Sequence, residues 1–311
     1  MFYNYTLYSY DSFTMTDPNA LIDLHIHSNC SDGAFSPVEL VQRAFMTGLL
    51  AVAIADHDSV AGIDEATVAG NNRQIEIIPA VELSVQFKDW QDVHLLGYGI
   101  DHTDASFLNK LHGFRGRREK RNEEILERVN QKLLDEGREA IALETVLAYA
   151  RDAIGRPHIA RALLEHNYAG SVEDAFQRYL VPCNVPKSYW PIDDAIREIR
   201  RIGGLAVLAH PTTVSTDRSE LRAITLELSA MGLDGIEVFN NLAQPYEMEF
   251  LRRLAEELGL LITGGSDFHG IEDGLEMGRG RGGVRFGASL LSALKKRLGE
   301  RRSQLLSLYA L

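Results

Sequence analysis

Between Leu21 and Thr263 the chain keeps returning to one pattern: a short apolar run with a His, Asp or Glu at or just past its end. Few folds accept that pattern. Leu49–Ala55 is apolar without a break, as expected of a parallel strand covered on both faces. The other runs are Ile75–Val81, Val93–Ile100, Leu205–Ala209, Gly235–Phe239 and Leu260–Thr263, most of them separated by helical patterns. In Leu21–Ser28, Ile22, Leu24 and Ile26 alternate with Asp23, His25 and His27, which is the period of a strand. His25 and His27 therefore share a face. Alternating strands and helices point to an α/β fold, in which sites are built at one rim beyond the strand ends.

The helices have their own signals. Ser36-Pro37-Val38-Glu39 is a capping box that starts a helix running to about Met46, and Gly48 ends it. A short helix is expected over Ile63–Ala69. From Asp104 to Leu180 the alternation stops and only helices are expected: a long one over Ala105–Leu134, then shorter ones near Leu143–Arg151, His158–Glu165 and Val172–Tyr179. Val181–Pro191, with three prolines, is a loop. Alternation resumes with a helix over Ile192–Ile202, continues through Tyr246–Leu258, and closes with a helix over about Ala288–Leu298. Residues 104–191 therefore form an all-helical insert, a cap, in a body made of 21–103 and 192–311. Residues 1–20 form an N-terminal extension, with Met15 as an alternative start.

Bulk properties exclude several roles. A chain of 311 residues, 45% hydrophobic, can bury one large α/β core with an insert. A net charge of −12 argues against nonspecific duplex DNA binding, which needs a basic surface. The two cysteines, Cys30 and Cys183, form no CxxC, so no disulfide framework is expected and a reducing, cytoplasmic setting fits. No apolar run approaches the roughly 20 residues of a membrane span. The N-terminus has no Lys or Arg before Ala20 and lacks the pattern of a secretory signal.

The polar residues at the strand ends carry the chemistry. His25, His27, His57, Glu82, His210, Asp267 and His269 fall at or just past apolar runs, and Asp32 follows in the loop after His27. His94 sits near the start of its run and reaches the same rim only if that strand runs antiparallel. A lone His at a strand end is usually just hydrogen-bonded. Six imidazoles and three carboxylates assembled by one rule are better explained by metal binding. Nine ligands exceed the four or so of a single ion, so two or three divalent ions are expected, with Glu82 bridging two of them.

These residues carry a family resemblance. His25-x-His27, Ser31-Asp32-Gly33, Asp56-His57-Asp58, Val81-Glu82-Leu83-Ser84, His94-x-x-Gly97, Ala209-His210-Pro211 and Ser266-Asp267-Phe268-His269 resemble the PHP (polymerase and histidinol phosphatase) family. The resemblance spans Leu21 to about His269 and is nearest to the branch acting on small nucleotides. It implies a distorted seven-stranded (β/α) barrel with a helical insert. It also implies a di- or trinuclear centre: His25, His27, Glu82 and Asp267 on a first ion, Glu82, His94 and His210 on a second, Asp32, His57 and His269 on a third. The ligand mix admits Mn, Fe, Zn or Mg. The implied activity is hydrolysis of phosphate monoesters of AMP, 3′,5′-bisphosphate nucleotides or short 5′-phosphorylated oligonucleotides, by a metal-bridging hydroxide. Histidinol phosphate is the alternative substrate, and a non-catalytic metal-binding module is a third possibility. No membrane or obligate protein partner is indicated. The glycine-rich loop Gly270–Gly287, with Gly-Arg-Gly-Arg-Gly-Gly at its centre, is the one part not matched to the family pattern.

Basic residues of the insert suggest where a polyanion would lie. Arg118 and Arg121 share a helical face that Arg115 extends, either as a wall for phosphates or as an ordinary solvated face. In Gly155-Arg156-Pro157-His158, Arg156 and His158 open a helix, whose N-terminus favours anions. Lys187 and Tyr189 are further candidates for contacts to phosphate and base. Asp58 and His158 are both candidate proton donors to the leaving oxygen.

Overall fold

The computed structural model describes residues 20–149, 155–271 and 274–309, so residues 1–19 of the expected extension lie outside the described residues. The elements run β1 (Leu21–Ile26), α1 (Pro37–Met46), β2 (Leu49–Ile54), α2 (Ile63–Asn71), β3 (Glu76–Ile77), β4 (Ala80–Phe87) and β5 (Trp90–Tyr98). Next come α3 (Ala105–Asp135), α4 (Leu143–Leu147), α5 (Arg156–Glu165), α6 (Val172–Ala175) with a π-turn over Phe176–Leu180, and β6 (Trp190–Pro191). The chain continues with α7 (Ile192–Arg201), β7 (Leu205–Leu208), α8 (Arg218–Ala230), β8 (Gly235–Phe239), α9 (Pro245–Leu258), β9 (Leu261–Gly264) and α10 (Ala288–Tyr309).

The fold is mixed α/β, built on two sheets. β1, β2 and β3 form a parallel three-stranded sheet; the other has the order β6-β4-β5-β7-β8-β9. The ladders do not close into a ring. Isolated bridges Ile26–Phe268 and His57–Glu82 connect the sheets. β5 runs antiparallel to both β4 and β7, while β7, β8 and β9 are mutually parallel. That reversal sets His94, at the middle of β5, beside the end of β7, where its carbonyl accepts the Ala209 N–H at 3.0 Å. The strand expected over Ile75–Val81 is two strands: Pro79 lies between β3, which pairs with β2, and β4, which pairs with β5. Proline offers no N–H to a ladder, and the chain changes sheet there. Glu82 is consequently the third residue of a longer strand rather than a residue at a strand's end.

Most local expectations hold. Ser36 and Glu39 form the reciprocal capping box, with Pro37 in the first turn. The last helix departs from expectation, continuing through Gly299 to Tyr309. A glycine stops a helix by taking positive φ, and Gly299 does not take it.

The cores explain the helical stretch. α3, of 31 residues and roughly 45 Å, crosses from one to another. Phe107 and Leu111 pack in the body's core with Trp190, Ile192 and Ile196. Farther along, Ile125, Val129 and Leu133 join a separate cluster with Ile159, Leu163, Tyr179 and Leu180. Trp190–Pro191, expected as loop, pair with Val85 and Gln86 at the sheet edge. No helix among the described residues is long and apolar enough to cross a membrane.

Candidate metal centre

Glu82 is fully buried and its two oxygens face different partners. Oε2 lies 3.3 Å from His25 Nε2, 3.3 Å from His27 Nε2 and 3.1 Å from His57 Nδ1. Oε1 lies 3.2 Å from His94 Nδ1 and 3.1 Å from His210 Nε2. Asp267 Oδ1 is 3.1 Å from His27 Nε2, and Asp32 sits 3.4 Å from His269 Nε2 and 3.6 Å from His57 Nε2. All nine residues singled out in the sequence are thus brought into one cluster. Three sets have potential ligand atoms within 4.8 Å of one another: His27/Asp32/His57/His269, His25/His27/Glu82/Asp267 and His57/Glu82/His94. His27 and His57 each belong to two sets, but a neutral imidazole has one lone pair and can serve only one.

The donor set fits divalent cations. His27 Nδ1, His57 Nδ1 and Glu82 Oε2 are buried and make no well-formed hydrogen bond among the described residues. Buried polar atoms without partners are rare, and here they converge with other lone pairs. His25 Nε2 and His27 Nε2 approach to 3.1 Å, which a cation between them would explain. Burial opposes the charge of Glu82, yet His25, His94, His57 and His210 outweigh it and hold the carboxyl well below its usual value. Asp267 is likewise held low against burial, by His25 and His27, and Asp32 by His269, His57 and His27. The carboxylates stay anionic, as ligands must. Burial, helped by His27 and His94, lowers His57 to about 3, so its ring is neutral and can donate a lone pair. Burial also disfavours a charged His27, but Asp267 and Glu82 push it up to about 10; the field draws protons to a place where a dication would displace them.

Three carboxylates not singled out in the sequence hold this arrangement. Glu237 is buried in β8; its Oε1 lies 2.9 Å from His25 Nδ1 and its Oε2 accepts the His210 N–H at 2.9 Å. It fixes which nitrogen of His25 faces the cluster. Asp23 accepts the N–H groups of Ser266 at 2.9 Å and Gly278 at 2.7 Å. Asp56 accepts from Ser28 N–H, Ser28 Oγ and Ser31 Oγ at 2.7, 2.6 and 2.7 Å. A signal did exist for two of them: Asp23 and Glu237 are acids between apolar residues of a strand, where an unpartnered charge is not tolerated. The backbone is also strained around the centre. Asp58, His210 and Asp267 have φ of +50°, +25° and +54°. Gly265 admits the crowding because a Cβ there would lie 2.3 Å from that of His25.

The other candidates lie outside the cluster. Asp58 follows His57, and its Oδ1 accepts the Ser84 N–H at 3.0 Å. His158 Nδ1 accepts the Gly155 N–H at 2.9 Å, so a neutral His158 carries its proton on Nε2. Arg156 opens α5 with its guanidinium 5.7 Å from the Phe176 ring centre, and Lys187 Nζ is 5.0 Å from that of Tyr189. Arg121 corrects an expectation. It is 9% exposed and donates to Val185 O at 2.7 Å, Asn184 Oδ1 at 2.8 Å and Asn122 Oδ1 at 3.2 Å. The loop after the π-turn folds over this face of α3, so Arg121 ties the two together and does not belong to a solvated wall. The Arg118 side chain lies outside the described residues.

Comparison with known proteins follows the same lines. Residues 23–183 match the model of the PHP domain. A 5′-3′ exoribonuclease of Haemophilus influenzae is 33% identical over 260 residues, covering 83% of this chain and 93% of that protein. A 3′,5′-nucleoside bisphosphate phosphatase of Chromobacterium violaceum is 32% identical over 264 residues, covering 82% and 89%. A crystal structure from Bifidobacterium adolescentis, named as a metal-dependent phosphoesterase, superposes with a TM-score of 0.75 at 30% identity, covering 90% and 97%.

Proposed function

The chain belongs to the PHP domain family, and on that premise we propose that it is a metal-dependent phosphoesterase hydrolysing phosphate esters of nucleotides or short 5′-phosphorylated oligonucleotides. The observation that carries this is the division of Glu82: one buried carboxylate turns each oxygen to a different set of imidazoles, as a residue shared by two ions must. His25, His27, Glu82 and Asp267 would hold one ion, Glu82, His94 and His210 a second, and Asp32, His57 and His269 a third. Divalent ions, when bound, supply Lewis acidity toward the phosphate oxygens and a nucleophile from water at neutral pH.

The chain's own residues do the rest. Glu237 and the strained turns at His210 and Asp267 fix the ligands before substrate arrives. Asp58, beside His57, or His158, through Nε2, would give the proton to the leaving oxygen. Arg156, His158, Arg118 and Lys187 would hold substrate phosphate from the helical insert, read as a cap over residues 104–191. The separate core from Ile125 to Cys183 supports that division. The bridges Ile26–Phe268 and His57–Glu82 support reading the two sheets as a distorted seven-stranded barrel. Phosphate release from AMP, a 3′,5′-bisphosphate nucleotide, histidinol phosphate and a 5′-phosphorylated trinucleotide tests the function. Turnover of a nucleotide substrate above histidinol phosphate is expected. Preference for histidinol phosphate, or no release with metal bound, would reject the proposal.

A further inference from the structure

None of the nine cluster residues comes from the Gly-Arg loop. Gly278–Arg285 reads Gly-Arg-Gly-Arg-Gly-Gly-Val-Arg: three arginines and no acid in a chain of net charge −12. Arg279, Arg281 and Arg285 are all exposed. The segment is a fixed turn. Arg279 bridges with both Glu276 and Arg285, and the Gly280 N–H donates to Val284 O at 2.7 Å. Gly282 and Gly283 have φ of +69° and +84°, where glycine alone is unstrained, and a Cβ on Gly280 would sit 2.8 Å from Asn241 Oδ1.

The turn is also tied to the metal centre. Asp23 accepts the Gly278 N–H at 2.7 Å and Asn241 Oδ1 accepts the Arg281 N–H at 2.6 Å. Both side chains also hold Ser266: Asp23 takes its N–H, and Asn241 donates to its carbonyl. Ser266 immediately precedes Asp267. The arginines thus stand at a fixed place relative to the cluster. The side chains of Arg279 and Arg281 make no ion pair or hydrogen bond among the described residues. Glu276 lines the same depression, and Glu272 and Asp273 lie just before it in the sequence.

We infer that this turn binds the sugar-phosphate backbone of a single-stranded oligonucleotide, at phosphates beyond the one being cleaved. The inference rests on the phosphoesterase reading and narrows its substrate. A nucleotide with one phosphate, such as AMP, has nothing left for a second cationic site once that phosphate is at the metals; a 3′,5′-bisphosphate nucleotide has one phosphate left, and a strand has several. Glycines between the arginines let a backbone approach closely, and guanidinium groups grip phosphate with paired donors.

The test is fluorescence anisotropy of a labelled, 5′-phosphorylated, single-stranded hexaribonucleotide on the full chain, with chelator present so that nothing is cleaved. Arg279→Ala/Arg281→Ala should bind about ten-fold more weakly or worse, and its salt dependence should lose roughly 1.4 units of log–log slope. Arg279→Lys/Arg281→Lys should keep part of the affinity, because the charge remains while the paired donors are lost. Release of phosphate from AMP by the metal-loaded alanine variant should stay within about two-fold of wild type. Unchanged RNA affinity overturns the inference, as does an equal loss on RNA and AMP, or arginine dependence shown by an acidic peptide and not by RNA. If the wild type hydrolyses no phosphate ester yet binds RNA through these arginines, the phosphoesterase reading falls and the loop site stands.

Discussion

Glu82→Gln keeps the shape of the side chain and removes its charge, so it separates bridging from packing. Bound metal should fall and turnover should drop about a thousand-fold or more, because the ions are no longer held together. Metal analysis with steady-state kinetics decides it; full occupancy with near-normal rates contradicts the bridge. Glu237 touches no substrate, and acts by orienting His25 and the His210 amide. Glu237→Gln should weaken metal binding by about ten- to a hundred-fold, readable by competition with a chelating dye, while the fold stays intact. Arg156→Ala addresses the cap. If Arg156 holds a second phosphate, kcat/KM for a 3′,5′-bisphosphate nucleotide should fall about ten- to a hundred-fold, with p-nitrophenyl phosphate nearly untouched. A parallel fall in both would place Arg156 on the scissile phosphate, and no change in either would remove it from the site.

Between elements, a polar junction adds to the apolar anchoring of the long helix α3 in the body. Asp104 caps α3 by accepting the Phe107 N–H at 2.8 Å, and it also takes Arg201 Nη1 at 3.0 Å and Nη2 at 2.6 Å from the end of α7. The Arg201 bonds, then the Phe107 amide, hold its carboxyl down to about 2. A folded pKa below the ordinary carboxylate value of about 4 stabilises the fold above that value, and the contribution is lost as pH falls through the folded pKa. Asp104→Ala should cost about 0.5–2 kcal/mol at neutral pH from the cap. The gap from wild type should narrow as pH drops from about 4 toward 2. Urea melts across that window measure it, and a gap that widens on acidification would contradict the assignment.

For the whole molecule, metal binding and folding should be coupled, because the ligands come from both sheets. Chelation should lower the melting temperature and abolish phosphate release, and adding a divalent ion back should restore both. Chelated protein that keeps full turnover would exclude a metal-dependent reaction. The sequence by itself determined the capped first helix, the long helix that follows residue 104 and the nine side chains that come together in the cluster. Each is a local property: a period of two, a capping box, a run of apolar residues stopped by a ligand-type side chain. Only the tertiary structure decided that β5 runs antiparallel and so delivers His94, and that the chain changes sheet at Pro79 and places Glu82 inside β4. It also turned Arg121 inward against the 184–185 loop, where the helical face alone suggested solvent. Glu237 shows the reason most plainly. Its partner His25 is 212 residues away, and no local pattern records which distant strand will lie beside another. That choice is made by packing and sheet pairing, which act only once the chain is compact.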